Sequence, residues 1–283
     1  MGDSPLVSIG MPVYNEGRFI KESLDALVHQ DYTNIELIIS DNASNDDTGE
    51  ICRQYAEQYD WIQCHRFNVN TGPVSNFQIV LEKASGKYFM WAAGHDLWTS
   101  NYISACVDLL ESRPNTVVAS GISNWIDEHG AVCDLEYGWV DTRGMDVIAR
   151  YFTVLWGNMH PIYGLHRRSV LLEIPMTSVV GTDLIVLTQM ALKGDFVNAV
   201  DATWSRREFR TEETYKDKIN RYKSSDYMLT VSWIDKLFPL IKLPVELGKG
   251  VLKANLPLSV RMAIFILLIA SFPIKYYSGT RNR

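Results

Sequence analysis

Four polar clusters in this chain sit where strands end or helices begin, and their residue types could do chemistry. Pro12-Val13-Tyr14-Asn15-Glu16 closes an apolar run that starts at Val7. Asp41-Asn42-Ala43-Ser44-Asn45-Asp46-Asp47-Thr48 closes the run Ile35 to Ser40. Gly94-His95-Asp96 follows the buried-looking stretch Lys87 to Ala93, and Gly181-Thr182-Asp183 opens a helical pattern ending at Lys193-Gly194. Polar residues at the carboxyl ends of successive strands lie where open α/β sheets bind ligands. Tyr14 offers a flat ring for stacking on a base. Asp41 can accept from the imide N–H of uracil, a contact cytosine does not offer in the same form. Asp96 and Asp183 add two carboxylates. Each has a plain structural use as well: a core tyrosine, an Asx turn at Asp41, a helix cap at Asp96 or Asp183.

The elements that must position these residues alternate. An amphipathic helix is expected from about Gly17 to Gln30, and a second reaches about Tyr59, with Ser44 and Asp47 in a capping arrangement. Ile62 to Arg66 reads as a short strand, and Pro73 after Gly72 suits the first turn of a helix to about Ala84. Val117 to Ser120 reads as a strand, and Trp125 to Val132 as a hairpin turning near Gly130. Alternation of this kind implies right-handed βαβ units and a parallel central sheet, an α/β fold. No Gly-x-Gly-x-x-Gly follows the first strand and no P-loop motif occurs, which argues against nicotinamide-binding and P-loop classes.

The first two clusters, in this order and at this separation, resemble the opening of the family 2 glycosyltransferases. The resemblance is specific from Val7 to Trp98 and looser to Gly194. It implies an A-type glycosyltransferase fold: a Rossmann-like, mostly parallel sheet flanked by helices over residues 1–235. The nucleotide-binding half would span about 5–100 and the acceptor half about 101–235, with a C-terminal helical tail at 236–283. It implies an inverting enzyme that moves a sugar from a nucleotide-sugar donor, a UDP-sugar if Asp41 reads the base, to a hydroxyl of a glycan or lipid-linked acceptor. Surface polysaccharide biosynthesis would be its setting.

Carried over residue by residue, the donor site comprises Pro12, Tyr14, Glu16, Asp41, Asn70 (in Asn70-Thr71-Gly72), His95 and Asp96. Where the family carries an Asp-x-Asp or Asp-Asp-Asp cluster, this chain has Gly94-His95-Asp96. Only Asp96 then remains as ligand for a divalent metal, Mn2+ or Mg2+, a hard cation that takes oxygen ligands. Asp183 matches the general base, with Thr182 in place of the preceding Glu. A carboxylate in reach of the attacking hydroxyl can take its proton. Tyr163 to Ser169 resembles the strand-to-helix step before that acid. The family's late metal-binding His has no counterpart, since the histidines end at His166; Arg206, Arg207 and Arg210 could clamp diphosphate oxygens there or form a solvated basic loop. Trp125, Trp139, Trp156, His160 and Tyr163 could line an acceptor groove or pack in the core. Two rival readings are a non-catalytic sugar-nucleotide or glycan-binding module of the same fold, and a nucleotidyltransferase, although the glycine- and basic-rich phosphate loop of the latter is absent.

A formal net charge of −6 over 283 residues excludes a general nucleic-acid binder. Charge is uneven: from Lys236 onward Lys236, Lys242, Lys249, Lys253, Arg261, Lys275, Arg281 and Arg283 face Glu246 alone, leaving the remainder markedly acidic. Such a tail suits an anionic surface or packing on the acidic body. The apolar run Met262 to Phe272 is shorter than the roughly 20 residues needed to span a bilayer. It reads as an interfacial helix, a helix docked on the sheet, or part of a homo-oligomer interface. Cys52, Cys64, Cys106 and Cys133 are widely spaced and read as reduced thiols of a cytoplasmic protein, peripheral to the inner face of the cell membrane if the tail binds lipid. No apolar secretory segment precedes the first strand.

Overall fold

The computed structural model describes residues 4–133, 138, 140–177, 179, 181–209 and 242–279. Trp139, Arg210 and residues 212–238 lie outside them. One eight-stranded sheet organises the chain: β1 (Val7–Val13), β2 (Ile35–Asp41), β3 (Ile62–Arg66), β4 (Tyr88–Trp91), β5 (Leu97–Trp98), β6 (Thr116–Ile126), β7 (Leu165–Arg167) and β8 (Asp195–Arg207). Its order is β3-β2-β1-β4-β7-β6-β8-β5. The first four strands are mutually parallel and β8 runs parallel to β6, while β7 and β5 are antiparallel to their neighbours. The result is a mixed α/β sheet flanked by helices.

The helices are α1 (Ile20–Val28), α2 (Thr48–Gln58), α3 (Pro73–Lys83), α4 (Tyr102–Ser112), α5 (Val147–Trp156), α6 (Arg168–Leu171), α7 (Thr182–Ala191), α8 (Lys242–Lys253) and α9 (Leu258–Gly279). β1 is buried on both faces, as its continuous apolar reading demands for a covered parallel strand. α1 buries Ile20, Leu24 and Leu27, the stripe that a 3.6-residue period places on one face. A Cβ at Gly10 would stand 2.7 Å from both Phe89 and Val80, so the glycine lets α3 close onto the sheet.

Two local irregularities build the site. β4 accompanies β1 only as far as Trp91 opposite Gly10, so beyond that point the carboxyl ends of β1 and β4 diverge. This is the switch point of the strand order, the place where α/β sheets open a crevice. It also explains Pro12 in a central strand: no β4 partner needs its missing N–H. The second irregularity is a bulge in β8. Gly121 pairs with Ala199 but Ile122 pairs with Thr203, so the intervening residues bow out and the end of β8 is re-aimed toward β5. β5 then pairs Leu97 with Ser205 and Trp98 with Trp204.

The strand expected at 117–120 is the middle of an eleven-residue strand. The hairpin after it is present, with Gly130 at φ 83 and Ile126 bridged to Val132. Pro244 lies within α8. The run Met262 to Phe272 is the centre of the 22-residue α9. α8 and α9 are packed on α5 and α7 through a core of Leu243, Leu247, Val251, Ile264 and Leu268 against Tyr151, Leu155, Leu184 and Ile185.

Candidate active site

The first two turns are zipped together by three successive backbone donors. Asn15 N donates to Ser44 Oγ at 2.9 Å, Glu16 N to Thr48 Oγ1 at 2.8 Å and Gly17 N to Asp46 Oδ2 at 3.0 Å. Asn15 holds φ 55, and its side chain accepts from Asn45 N. The polar run after Asp41 thus serves to shape the turn after β1. The capping arrangement expected of Ser44 and Asp47 is not formed: Ser44 is bound to Asn15, and Asp47 makes no side-chain cap on α2.

Tyr14 is left exposed at the lip of the crevice. Asp41 is fully buried beside it. Its Oδ1 accepts from Ser44 N at 2.9 Å, while Oδ2 has no hydrogen-bond partner, the guanidinium of Arg66 standing off at 3.6 Å. A Cβ on Gly49 would lie 2.8 Å from that oxygen and closer still to Arg66 Nη1, so the glycine leaves room for the guanidinium beside the buried carboxylate. An unpaired buried carboxylate oxygen is costly without a donor to meet it. Asn42 pins the next loop, donating to Asn70 Oδ1 at 2.9 Å and accepting from Thr71 N at 2.8 Å. Asn70 Oδ1 also accepts from Gly72 N, so that oxygen is spent inside its own loop.

Across the crevice, Glu16 Oε2 and His95 Nδ1 lie 2.9 Å apart, joining the ends of β1 and β4. Asp96 is 1% exposed. Trp204 Nε1 donates to its Oδ2 at 2.9 Å and Arg207 N to its Oδ1 at 3.0 Å. Burial raises its carboxyl above the usual range, against the opposing pull of His95 and of these hydrogen bonds. Among the described residues no group of three or more His, Cys, Asp or Glu side chains is placed to hold a metal ion. A carboxylate so enclosed, with both oxygens engaged, does not fit the ligand role that the resemblance gave Asp96, and no step below passes through a metal.

Asp183 stands in the first turn of α7, where the helix N-terminus favours an anion. It is not the cap: Gly181, at φ 91, holds that position. Its side chain opens to solvent, yet protein packed round the recess raises its carboxyl above the usual range, while the charge of Arg206 draws it down.

Between these acids lies an aromatic wall. His160 packs edge-on against Trp125 and Trp204, with ring centroids 5.8 and 5.6 Å away, and Tyr163 lies 5.0 Å from Trp204. Burial, with Arg206 nearby, lowers His160 to about 4, so it is neutral near pH 7. Ser123 Oγ donates to Gly138 O at 2.8 Å and meets His160 Nδ1 at 2.5 Å, which puts the imidazole proton on Nδ1. Trp125, His160 and Tyr163 are thus brought together around Trp204, whereas Trp156 is an exposed residue at the end of α5. Trp204 went unnoticed in the sequence. The signal was there: two residues before Arg206 in a strand, it must share that residue's face.

Comparison with known proteins gives this fold a family resemblance. Residues 8–132 match the family model described as glycosyl transferase family 2. The match covers 125 of the 283 residues. An uncharacterized glycosyltransferase of Rickettsia prowazekii is 33% identical over 112 residues, covering 40% of this chain and 34% of that protein. The chain thus spans about a third of the length of this curated relative. Among solved structures, S. aureus TarS 1-349 in complex with UDP-GlcNAc superposes with a TM-score of 0.68 at 16% identity, covering 93% of this chain and 71% of that one. The mannosyltransferase PcManGT from Pyrobaculum calidifontis, in complex with GDP-Man and Mn2+, superposes with a TM-score of 0.57 at 17% identity, covering 98% and 84%. These structures share the fold.

Proposed function

We propose that the chain transfers a hexosyl group from a UDP-sugar to a hydroxyl of a glycan or lipid-linked acceptor, with inversion at the anomeric carbon, in the assembly of a surface polysaccharide. The observation that carries the reading is Asp41 Oδ2, a buried oxygen that accepts no hydrogen bond, with the Arg66 guanidinium 3.6 Å away, beside the exposed ring of Tyr14 at the switch-point crevice. Uracil offers both an imide N–H and a face to stack. The likeness to TarS, described with UDP-GlcNAc and with UDP, supports the same donor class. Pro12, Glu16, Asn70 and His95 shape the crevice around that nucleotide.

Asp183 is assigned as general base. The acceptor oxygen attacks the anomeric carbon and its proton passes to the Asp183 carboxylate. The bond from that carbon to the diphosphate oxygen breaks, and its electron pair leaves with the diphosphate. A carboxyl held above its usual range is a better proton acceptor than an ordinary aspartate. In the aromatic wall the part-exposed rings of Trp125, His160 and Tyr163 offer faces for sugar C–H groups, with Trp204 buried behind them. Incubating the protein with UDP-sugars and a polyprenyl-phosphate-linked or glycan acceptor, and following UDP release together with product mass, tests the reading.

The tail favours a lipid-linked acceptor. Among the described residues no helix is long and apolar enough to cross a membrane. α9 nevertheless exposes Leu258, Met262, Ile266 and Ile269 along one side, and a pocket of ≈ 230 Å³ lined by Phe152, Leu267, Ala270 and Ser271 opens beside it. Lys249, Lys253 and Arg261 lie on α8 and α9, and the one acid of residues 242–279, Glu246, is paired with Lys249. An apolar stripe with basic residues on the same two helices suits peripheral contact with an anionic lipid surface. α8 also abuts the base: Leu243 lies against Gly181, 3.1 Å from where its Cβ would be, two residues from Asp183.

A further inference from the structure

We infer that the guanidinium of Arg206 is the counter-ion of the donor diphosphate, so that nucleotide binding and transfer need no divalent cation. The inference rests on the nucleotide-sugar reading above and adds what balances the leaving group's charge.

The sequence offers Arg206 and Arg207 as equivalent neighbours at the end of β8, and the structure separates them. Arg207 is buried and spent. It donates to Glu22 Oε2 at 2.6 Å, to His95 O at 2.9 Å and to Glu128 O at 3.0 Å, with its guanidinium 4.6 Å over the Phe19 ring. It ties β8 to α1 and to the hairpin at Gly130. Arg206 is half-buried and, among the described residues, forms no ion pair. Its guanidinium lies 4.4 Å over the ring of Trp125, its partner in the β6–β8 register.

The surroundings point that guanidinium at the crevice. Its charge is felt by Asp96, Asp183 and His160 together, the two acids and the imidazole that border the proposed reaction centre. The ring of Trp125 holds its plane, and among the described residues no carboxylate is paired with its N–H edge. A planar cation with unused donors suits two phosphate oxygens, which it can meet side by side. The acid that would carry a metal has the opposite character: Asp96 is enclosed, with each oxygen already accepting a hydrogen bond. When the anomeric bond breaks, negative charge grows on the diphosphate, and a fixed cation in a partly dry recess stabilises that charge most at the transition state.

Calorimetric titration of UDP and of uridine, in EDTA and in Mn2+, tests the inference with the full chain. The wild type is expected to bind UDP equally in both media, within about twofold. Arg206→Ala is expected to weaken UDP by about 10- to 100-fold while leaving uridine affinity unchanged, which also certifies that the variant is folded. Arg206→Lys, which keeps the charge without the planar fork, should fall between. Loss of UDP binding in EDTA with rescue by Mn2+ would overturn the inference, as would wild-type UDP affinity in Arg206→Ala. Should GDP bind in place of UDP with the same Arg206 dependence, the uracil assignment falls and this inference stands. Should no nucleoside diphosphate bind, both fall.

Discussion

Asp96 and Trp204, 108 positions apart, are joined by a 2.9 Å hydrogen bond from the indole Nε1 to Oδ2. The bond ties the acid that follows β4 to the aromatic wall carried by β8. Trp204→Phe keeps the ring and removes the donor, leaving a buried carboxyl oxygen unpaired. It should lower stability by about 1–3 kcal/mol. A thermal melt of this variant beside the wild type measures the loss, and an unchanged midpoint would show that Asp96 does not depend on the indole.

Asp183→Asn keeps the shape at the start of α7 and removes the proton acceptor. Turnover should fall by about 10² to 10⁴ with UDP affinity nearly unchanged. The variant should also melt higher than the wild type near neutral pH. Because folding raises the Asp183 pKa, its contribution to stability is present below the ordinary aspartate value and lost as pH rises through the raised one. The advantage of Asn should therefore fade as pH is lowered. Full turnover in Asp183→Asn would place the base elsewhere.

Acid stability should report the buried histidines. His166 is enclosed beside Trp91, and burial lowers it from 6.5 to about 4. His160 is likewise lowered to about 4. Groups lowered in this way stabilise the fold above their unfolded pKa and lose that contribution as pH falls toward the folded value. Stability should decline between about pH 6.5 and 4, each histidine contributing up to about 3 kcal/mol of the loss. Denaturant melts across that window should show His166→Phe with a smaller slope than the wild type; an equal slope would mean that His166 does not titrate there.

The donor side was readable because its signals are local. Apolar runs ending in Pro12–Glu16 and in Asp41–Thr48 mark strand ends, and the order of those strands places both turns at one crevice. The roles inside the turns were less readable. Ser44, Asp46 and Thr48 look like caps or ligands in the sequence, but they accept from the backbone of a turn about thirty residues away. The acceptor side depends on pairings made late in the chain. The bulge in β8 and its pairing with β5 decide that Trp204 meets Asp96, that Arg207 is consumed and that Arg206 is left over. No spacing rule separates two adjacent arginines by such different fates. In the tail, the short apolar run suggested its own helix boundaries. Packing against α5 and α7 sets the longer helix actually formed.

The exposed side of α9 makes a prediction about surfaces. The full chain should sediment with phosphatidylglycerol-containing vesicles and be partly released by salt, which screens attraction to Lys249, Lys253 and Arg261. Ile266→Glu, at a position 60% exposed, should reduce sedimentation without changing the melting temperature. A chain that ignores vesicles and elutes as a dimer, with Ile266→Glu converting it to a monomer, would make this stripe a subunit interface.

The unpaired oxygen of Asp41 carries the central claim, and nucleotide selectivity measures it most directly. UDP, CDP and GDP should be compared by thermal shift at matched concentrations. At a hundredfold excess over its Kd, UDP should stabilise the protein by about 2.7 kcal/mol, and CDP and GDP by much less. Equal shifts for all three nucleotides, or none for UDP, would contradict the account.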